Sequence, residues 1–404
     1  MKTSRLIIVT PHCYDKEENK LSTFKDGLSI MVGQIVSGLA SRSVEVQVYM
    51  TNAIYSNKWR KRENVTYFNN SLENNIHNLG LVRCIKLVLS KQYAGLKDLY
   101  FLISNEAFLK TIDADKTVLI NFHDLTINNC YLIKKCMEKR IECILTLHMY
   151  VGKDSSFGNE YDGLKQRERE ILQLFSGRII TVSEGMKNRI LHDYSLLEDI
   201  EVIENGIEIE ENQQHCKNSN KKKKQILCAG TIGRRKNQIQ LLRALKSAPE
   251  RIRKECKFIF CGIDTTGGVF EATIKEYRLS DFVTYIGEVD KKSMRNLYLN
   301  SFAVISCSLS EAFGLTIIEA YSYGKPCVFF DDIDAVEYLS GNECCVLIKG
   351  KEDEDIIKAI DICINTKWSS NKIRKHACKY DMNNTIDKYI NCYEEFSNIQ
   401  FNSK

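Results

Sequence analysis

Short apolar segments alternate with longer amphipathic segments along the first half of the chain. Residues 6–9 form an apolar run typical of a buried strand, and residues 44–49 alternate with a period of two. Residues 27–40, between them, have helical periodicity, so the chain is predicted to begin with a strand, a helix and a second strand. Further on, the same pattern predicts strands over 118–122, 143–147 and 178–182, and helices over 127–140, 160–175 and 183–191, the last capped by Ser183.

A polar segment over residues 208–224 ends in four consecutive lysines and separates this block from a second one. We interpret the segment as a solvated interdomain link, although such a run also has the charge needed to dock on an anionic membrane. The second block predicts strands over 225–230, 256–260, 283–286, 303–306 and 327–330, and helices over 238–247, 270–277, 292–299 and 315–323.

Strands that alternate with helices in this way are typical of parallel sheets with helices on both faces. The predicted fold class is therefore α/β, with two Rossmann-like domains. Parallel sheets bind ligands at the carboxyl ends of their strands, and two such sheets face to face would enclose a cleft.

Composition agrees with two domains and narrows the function. The chain has 404 residues, of which 44% are hydrophobic, and this is enough for two cores of ordinary size. Its formal net charge is only +5 over this length, which is too small to indicate nucleic acid as the main partner. Among the 16 cysteines no two are three positions apart, which excludes a C-x-x-C zinc or redox pair. With no signal segment and no apolar run near ~18 residues, we expect a cytoplasmic protein with reduced thiols.

The common nucleotide-binding and hydrolase motifs are missing. No two glycines are two positions apart, so the chain has no G-x-G-x-x-G, and it has neither a P-loop lysine motif nor G-x-S-x-G. The absence of H-E-x-x-H removes the commonest zinc-protease signature as well. Dinucleotide-dependent dehydrogenases, P-loop kinases and the commonest hydrolases are thereby disfavoured.

A segment over residues 308–320 instead predicts an anion site at the start of a helix. The amides of Phe313, Gly314 and Leu315 lie at the helix entry, where free N–H groups and the helix dipole attract a phosphate. Glu319, about one turn inside the helix, is placed to accept hydrogen bonds from a vicinal diol such as a ribose. Glu311, on the preceding loop, is placed to meet sugar hydroxyls.

A basic turn over residues 230–237 supplies positive charge to the same predicted domain. Arg234, Arg235 and Lys236 follow a predicted strand, and cations at a strand's carboxyl end can neutralise a pyrophosphate without a metal.

These residues together resemble the retaining nucleotide-sugar glycosyltransferases of the GT-B fold, the group 1 or family 4-like enzymes. Glu311 and Glu319 are separated by seven residues around Phe313-Gly314-Leu315, and this pair with its surrounding turn is the hallmark of that family. The segment over 320–328 also resembles the family pattern, as do residues 181–184, 202–207 and 286–288.

The resemblance implies domains over residues 1–207 for the acceptor and 225–380 for the donor, joined by a linker over 208–224. A closing helix within 381–404 would cross back onto the first domain. The chain would move a sugar from a nucleotide diphosphate sugar to a saccharide or glycolipid, with retention of configuration and without a metal or other cofactor. Polysaccharide or glycolipid assembly at the inner membrane face is a family-level expectation, and neither nucleic acid nor a resident metal is expected.

The resemblance also assigns roles to individual residues. Glu319 would hold the donor ribose, Glu311 the donor sugar, and the amides of Phe313, Gly314 and Leu315 the pyrophosphate. Lys236 would stabilise the departing phosphate. His148, which ends the predicted strand over 143–147, would face the donor sugar, and His123 matches a second histidine one strand earlier.

Three positions depart from the family pattern. Thr231 stands where the family has an arginine, and Arg235 or, less favourably, Arg234 would replace it from the adjacent turn. Cys307 replaces a proline, and residues 12–16 replace the glycine-rich turn after the first strand. A catalytically impaired nucleotide-sugar-binding subunit is therefore an alternative.

Two further alternatives belong to other classes. A metal-dependent transferase would use an Asp-x-Asp pair such as Asp332 and Asp334, although three such pairs in one chain favour chance. A nucleotide-sugar epimerase would share the fold and differ in its product.

Overall fold

The computed structural model describes residues 5–14, 27–52, 61–62, 64–90, 93–112, 118–152, 157–194, 200–209, 223–341 and 343–397. The chain divides into two compact units. The first contains residues up to Val182, a segment over Met186–Glu204 and the C-terminal residues from Met382. The second contains Ser183–Gly185 and Asn205–Asp381. Most of the segment predicted as a linker, residues 210–222, lies outside the described residues.

The first unit is built on an eight-stranded sheet in the order β3-β4-β2-β1-β5-β6-β7-β8, parallel except for the edge pair β3 and β4. Its strands are β1 (Arg5–Thr10), β2 (Val46–Met50), β3 (Lys61–Arg62), β4 (Val65–Tyr67), β5 (Val118–His123), β6 (Glu142–Leu147), β7 (Arg178–Thr181) and β8 (Ile200–Val202). Its helices are α1 (Gly27–Ser41), α2 (Leu72–Leu79), α3 (Leu81–Ser90), α4 (Leu96–Thr111), α5 (Ile127–Glu138), α6 (Asp162–Leu174), α7 (Glu184–Asp193, whose first two residues belong to the second unit) and α16 (Met382–Ser397).

The second unit is built on a six-stranded, fully parallel sheet in the order β11-β10-β9-β12-β13-β14. Its strands are β9 (Lys224–Ala229), β10 (Cys256–Cys261), β11 (Val283–Tyr285), β12 (Ala303–Ile305), β13 (Cys327–Phe330) and β14 (Cys345–Ile348). Its helices are α8 (Gln238–Lys246), α9 (Glu250–Glu255), α10 (Val269–Glu276), α11 (Lys291–Asn300), α12 (Leu315–Ser322), α13 (Val336–Leu339), α14 (Asp353–Asn365) and α15 (Ser370–Ala377).

The predicted fold class is confirmed, since each unit is a parallel sheet covered by helices. Central strands β1, β5 and β10 are buried almost throughout, because a strand covered on both faces must be apolar on both. The predicted strands and helices are present, and their ends differ from the predicted ones by at most two residues. The periodicity did not predict the elements between residues 61 and 111, the edge strands β8 and β14, or helices α9, α13, α14 and α15.

The C-terminal helix α16 packs with the first unit although it follows the whole of the second in the chain. The Asn121 amide donates to the Tyr393 hydroxyl over 2.7 Å within the buried interior. A Cβ at Gly38 would lie 2.4 Å from the Ile386 side chain, so only glycine lets α1 and α16 approach this closely. Residues 5–204 thus complete their core with a segment from the far end of the chain.

Candidate active site

Glu311, Arg235 and Lys236 form a buried charged cluster in the second unit. The Glu311 carboxylate accepts a hydrogen bond from Arg235 Nη1 over 3.1 Å and another from Lys236 Nζ. Only 7% of Glu311 is exposed, so the two cations supply the charge compensation that water would otherwise give. The turn after β9 and the loop after β12 are thereby joined at the carboxyl ends of neighbouring strands.

Backbone contacts hold this cluster in place. Arg235 Nη1 also donates to the Ser310 carbonyl over 3.0 Å, while the Arg235 carbonyl accepts from the Leu309 amide over 2.9 Å. The loop before Glu311 therefore contacts both the guanidinium group and the backbone carbonyl of Arg235. Arg234 is exposed, so of the two arginines weighed as replacements, the structure brings only Arg235 to Glu311.

Burial and charge act in opposite directions on these groups. Burial would raise the pKa of Glu311, but the charges of Lys236 and Arg235 outweigh it and leave that pKa below its usual range. Burial lowers the pKa of Lys236, and the attraction of Glu311 opposes this shift. Around neutral pH the carboxylate is therefore ionised, and it helps to keep the lysine charged.

Glu319 has surroundings of a different kind. Its carboxylate oxygen Oε2 accepts a hydrogen bond from the Tyr298 hydroxyl over 2.7 Å. Tyr298 lies on α11, is buried, and stacks on the Tyr323 ring with centroids 5.1 Å apart. Burial raises the pKa of Glu319, while the Tyr298 hydrogen bond and the charge of Lys291 lower it. Tyr298 was not predicted from the sequence, because no local motif connects it with Glu319.

Gly314 forms the entry to α12 between the two glutamates. Its φ of +78° is in the left-handed region, where glycine is favoured. A Cβ there would lie 2.8 Å from Leu339 Cδ1 and 3.6 Å from Glu311 Cγ. Since the amides of the first helical turn have no partner inside the helix, those of Gly314 and Leu315 lie where an anion would be held. The Phe313 ring is buried and packs edge-on against Tyr380, so only its backbone is suited to this role.

The two histidines predicted from the resemblance contact each other in the first unit. His123 Nδ1 and His148 Nε2 are 2.8 Å apart, and the rings stack at 22°. The His148 amide donates to Asp124 Oδ1 over 2.8 Å, and the Asn129 side chain donates to the His123 carbonyl over 2.8 Å. Burial, and then the charge of His148, lowers the pKa of His123 well below its usual range, which keeps that ring neutral.

A further carboxylate, Glu168, lies on α6 near the carboxyl end of β6. It is buried and accepts hydrogen bonds from the amides of Val151 over 3.0 Å and Gly152 over 2.7 Å. Burial raises the pKa of Glu168 to about 7, against the opposing effect of these backbone donors. The pattern that predicted a helix over 160–175 gave no sign of this contact. Glu168 thus fixes the start of the loop that follows His148.

The remaining sequence-based candidates have other surroundings. Asp332 forms an ion pair with Lys351 over 2.6 Å. Throughout the described ranges, no group of three or more His, Cys, Asp or Glu side chains is arranged to hold a metal ion. Thr231 is exposed and its carbonyl accepts from Gln238 over 3.0 Å. Residues 15 and 16 of the atypical first turn lie outside the described residues.

Family models match nearly the whole chain. Residues 209–380 match the model described as glycosyl transferases group 1, and residues 25–211 match glycosyltransferase family 4. The chain belongs to the group 1 glycosyltransferases. The second match covers the N-terminal half and the first covers the half that contains Glu311 and Glu319.

Two curated relatives of this glycosyltransferase are distant. One, an uncharacterized 41.2 kDa protein in the cps region of Klebsiella pneumoniae, is 25% identical over 44% of this chain and 48% of its own. The other, an uncharacterized glycosyltransferase of Methanocaldococcus jannaschii, is 23% identical over 54% of this chain and 60% of its own. The matches thus span about half to three fifths of the length of these relatives.

Solved structures resemble the glycosyltransferase over almost its full length. Sucrose-phosphate synthase from Thermosynechococcus elongatus has a TM-score of 0.73 at 16% identity, covering 97% of this chain and 98% of that one. The Anabaena protein HepE, in complex with UDP and glucose, has a TM-score of 0.68 at 16% identity, covering 97% and 100%. At these identities the likeness shows the fold class, which is GT-B with two Rossmann-like units.

Proposed function

We propose that this glycosyltransferase moves a sugar from a nucleotide diphosphate sugar to a saccharide or lipid-linked saccharide, with retention of configuration and without a metal. The observation that carries the proposal is the cluster of Arg235 and Lys236 on Glu311, beside the start of α12 and in the same unit as Glu319. Cations and oriented amides at one place are what a leaving pyrophosphate requires.

In the proposed reaction the bond between the anomeric carbon and the phosphate oxygen breaks, and the negative charge develops on the nucleotide diphosphate. Lys236, Arg235 and the amides of Gly314 and Leu315 stabilise that charge. The acceptor hydroxyl attacks from the same face, forms the new glycosidic bond and gives its proton to the departing phosphate. Glu311 holds the two cations and contacts the donor sugar. The role that the resemblance assigns to His148 stays a prediction.

A role for Glu311 as a covalent nucleophile is less favourable. Its two carboxylate oxygens each accept a hydrogen bond from a cation, and its pKa is lowered accordingly. Both effects reduce the electron density available for attack on carbon.

Glu319 is proposed to bind the donor ribose. A carboxylate accepts two hydrogen bonds from a vicinal diol, and Tyr298 occupies Oε2 from the buried side. HepE was solved with UDP, and a galactosyltransferase of the lipopolysaccharide outer core has a TM-score of 0.64 at 14% identity. The UDP bound to HepE and the lipopolysaccharide acceptor of the galactosyltransferase support a uridine nucleotide and a lipid-linked acceptor as the first to test. The fifteen described free cysteines, nearly all buried, support a reducing compartment such as the cytoplasm.

The test is binding and hydrolysis of UDP-, GDP- and ADP-sugars, with and without EDTA, by the wild type and by Glu319→Ala. We expect one nucleotide to bind, EDTA to change nothing and Glu319→Ala to lose binding. Glu276→Ala, on the exposed face of α10, is the matched control and should bind as the wild type does. NMR of the product linkage then reports retention or inversion.

Three results would contradict parts of the proposal. Absence of binding to every nucleotide removes the donor site. Loss of activity with EDTA, restored by a divalent cation, replaces the metal-free mechanism with a metal-dependent one. Tight binding without turnover, in the presence of competent acceptors, identifies a nucleotide-sugar-binding subunit that lacks catalysis.

A further inference from the structure

Exposed apolar side chains are concentrated on helix α3. Of the fourteen large hydrophobic side chains exposed in the described residues, five belong to this one ten-residue helix. These five side chains are Leu81, Val82, Ile85, Val88 and Leu89, with exposed fractions of 63%, 70%, 49%, 41% and 73%. Scattered exposed leucines are ordinary, but a contiguous set on one element indicates a surface that binds something.

The helix has three faces when its residues are placed at ~100° intervals. Cys84 and Leu87 form the inner face and pack against the buried side chains of Leu79 and Ile103. The five exposed apolar residues then occupy a contiguous arc of roughly 120° beside it. Arg83, Lys86 and Ser90 form the remaining face. The apolar arc is therefore separate from the face that packs on α2 and α4.

The charges on α3 are of one sign. Its sequence, LVRCIKLVLS, contains Arg83 and Lys86 and no carboxylate. Arg83 pairs with Glu106 over 2.8 Å, yet its side chain is still 58% exposed, and Lys86 is exposed. An exposed apolar arc bordered by cations is the composition of helices that lie in the interface of an anionic bilayer.

We propose that α3 docks this glycosyltransferase on an anionic lipid surface, with its apolar arc inserted at the boundary between headgroups and acyl chains. A second copy of the chain is the weaker choice, because two α3 helices placed face to face would oppose like charges. The helix is also only ~15 Å long and ~10 Å wide. That footprint is far below the ~800 Å² that each partner of a stable protein complex buries, whereas interfacial insertion sets no such threshold.

The lysine run over 221–224 is a weaker candidate for membrane binding than α3. Of its two described members, Lys223 donates to the Arg253 carbonyl over 3.1 Å and Lys224 donates to the Ile364 carbonyl over 2.6 Å. Both ammonium groups are thus engaged within the second unit. The inference deepens the proposed function, on whose lipid-linked acceptor it rests, by naming the element that brings the enzyme to that acceptor.

The test is co-sedimentation of the full chain with vesicles of phosphatidylcholine, alone or mixed with phosphatidylglycerol. We expect the wild type to bind the mixed vesicles, and Val82→Gln/Leu89→Gln to bind about tenfold less tightly or worse. Lys86→Glu should weaken binding to the mixed vesicles only. The matched control, Leu174→Gln/Ile362→Gln, replaces two side chains exposed to 60% and 55% on other helices and should bind as the wild type does.

Three outcomes would overturn the proposal. The wild type fails to bind either vesicle, or the α3 variant binds as tightly as the wild type. In the third outcome, the wild type forms a concentration-dependent dimer that Val82→Gln/Leu89→Gln abolishes, and neither protein binds vesicles. Helix α3 would then be an interface between two copies of the chain. UDP binding measured on the same samples separates the two ideas, since loss of the donor site leaves vesicle binding unchanged.

Discussion

Glu311 and Glu319 are separated by seven residues, yet their pKa values shift in opposite directions. Burial acts on both and would raise both pKa values. Glu311 accepts hydrogen bonds from two cations, and its pKa falls below the usual range. Glu319 accepts from a neutral tyrosine hydroxyl, and its pKa stays above that range. The identity of the donor, and not burial alone, therefore decides which carboxylate is firmly charged.

This difference suits the two proposed tasks. A carboxylate locked between cations can organise positive charge for a leaving phosphate but is less able to attack carbon. A carboxylate with one neutral partner keeps acceptor capacity for a ribose, and its charge depends on pH. Within one motif, the same residue type thus has surroundings that suit a structural electrostatic role at Glu311 and the proposed ligand-binding role at Glu319.

The largest effect is expected from breaking the Glu311 cluster. Lys236→Met or Glu311→Gln should each lower the free energy of unfolding by about 3 kcal/mol, because each removes one member of a buried charged cluster and leaves the remaining charges unbalanced. The double variant should lose less than the sum of the two, since it leaves fewer unpaired charges. Urea denaturation measures the stabilities, and turnover should fall by about 10²-fold or more in all three variants.

Arg243→Met is the control for this cycle. Arg243 pairs with Asp353 on the surface, where its side chain is 57% exposed, and its loss should cost at most about 1 kcal/mol. If the effects of Lys236→Met and Glu311→Gln on the free energy of unfolding are strictly additive, the pairing of Lys236 with Glu311 does not contribute to stability.

A smaller effect is expected at Tyr298. The Tyr298 hydroxyl lowers the pKa of Glu319, so Tyr298→Phe should raise that pKa further. Only the ionised carboxylate accepts from both ribose hydroxyls, so nucleotide affinity falls as the pH drops through the pKa of Glu319. In Tyr298→Phe this fall should begin at a higher pH, with about a fivefold loss of affinity near neutrality. Calorimetric titration with the nucleotide over a range of pH measures both.

The control is Tyr285→Phe, which removes a hydroxyl that donates to the Gly262 carbonyl over 2.8 Å in the same unit. Its binding profile should match that of the wild type. An unchanged pH profile in Tyr298→Phe would show that the tyrosine packs beside Glu319 without affecting its charge.

A further effect, on stability as well as on binding, is expected at the glycine between the two glutamates. Gly314→Ala should lower the free energy of unfolding by about 1–2 kcal/mol through its positive φ and its contact with Leu339. Gly267→Ala, at a φ of +68° with open space around it, isolates the backbone cost. Nucleotide affinity should fall in Gly314→Ala and not in Gly267→Ala, as thermal shift with and without nucleotide would show. If the two variants have the same nucleotide affinity, the amides at the start of α12 do not belong to the donor site.

Local periodicity was sufficient for the central strands and the helices between them. It was not sufficient for α4, whose middle residues Ser104, Asn105 and Glu106 are buried. The Tyr49 hydroxyl bonds with the side chains of Ser104 and Asn105, and the Tyr131 hydroxyl donates to Glu106. When buried polar residues form hydrogen bonds with partners on other elements, a buried helix has the sequence pattern of a surface segment. The pattern of a single sequence contains no information on those partners.

The same reason limits the prediction of the site. Arg235, Lys236, Glu311, Gly314 and Glu319 were chosen because each belongs to a short motif. Tyr298 and Glu168 act through contacts with residues 21 and 16 positions away, and neither lies in a recognisable motif. Their roles emerge only when the fold brings the elements together. The assignments of donor and acceptor contacts to these residues stay predictions until ligands are tested.

The placement of α16 has a consequence for biosynthesis. Most of the first unit precedes the second unit in the chain, but the helix that packs on α1 and supplies Tyr393 to Asn121 is made only after the second unit. The N-terminal unit must therefore wait, with part of its apolar surface uncovered, while the second unit is synthesised and is free to fold. A nascent chain stalled after residue 381 should present that surface to chaperones, and release of residues 382–397 should end the interaction. A helix translated after the second unit thus acts as the checkpoint for the folding of the first.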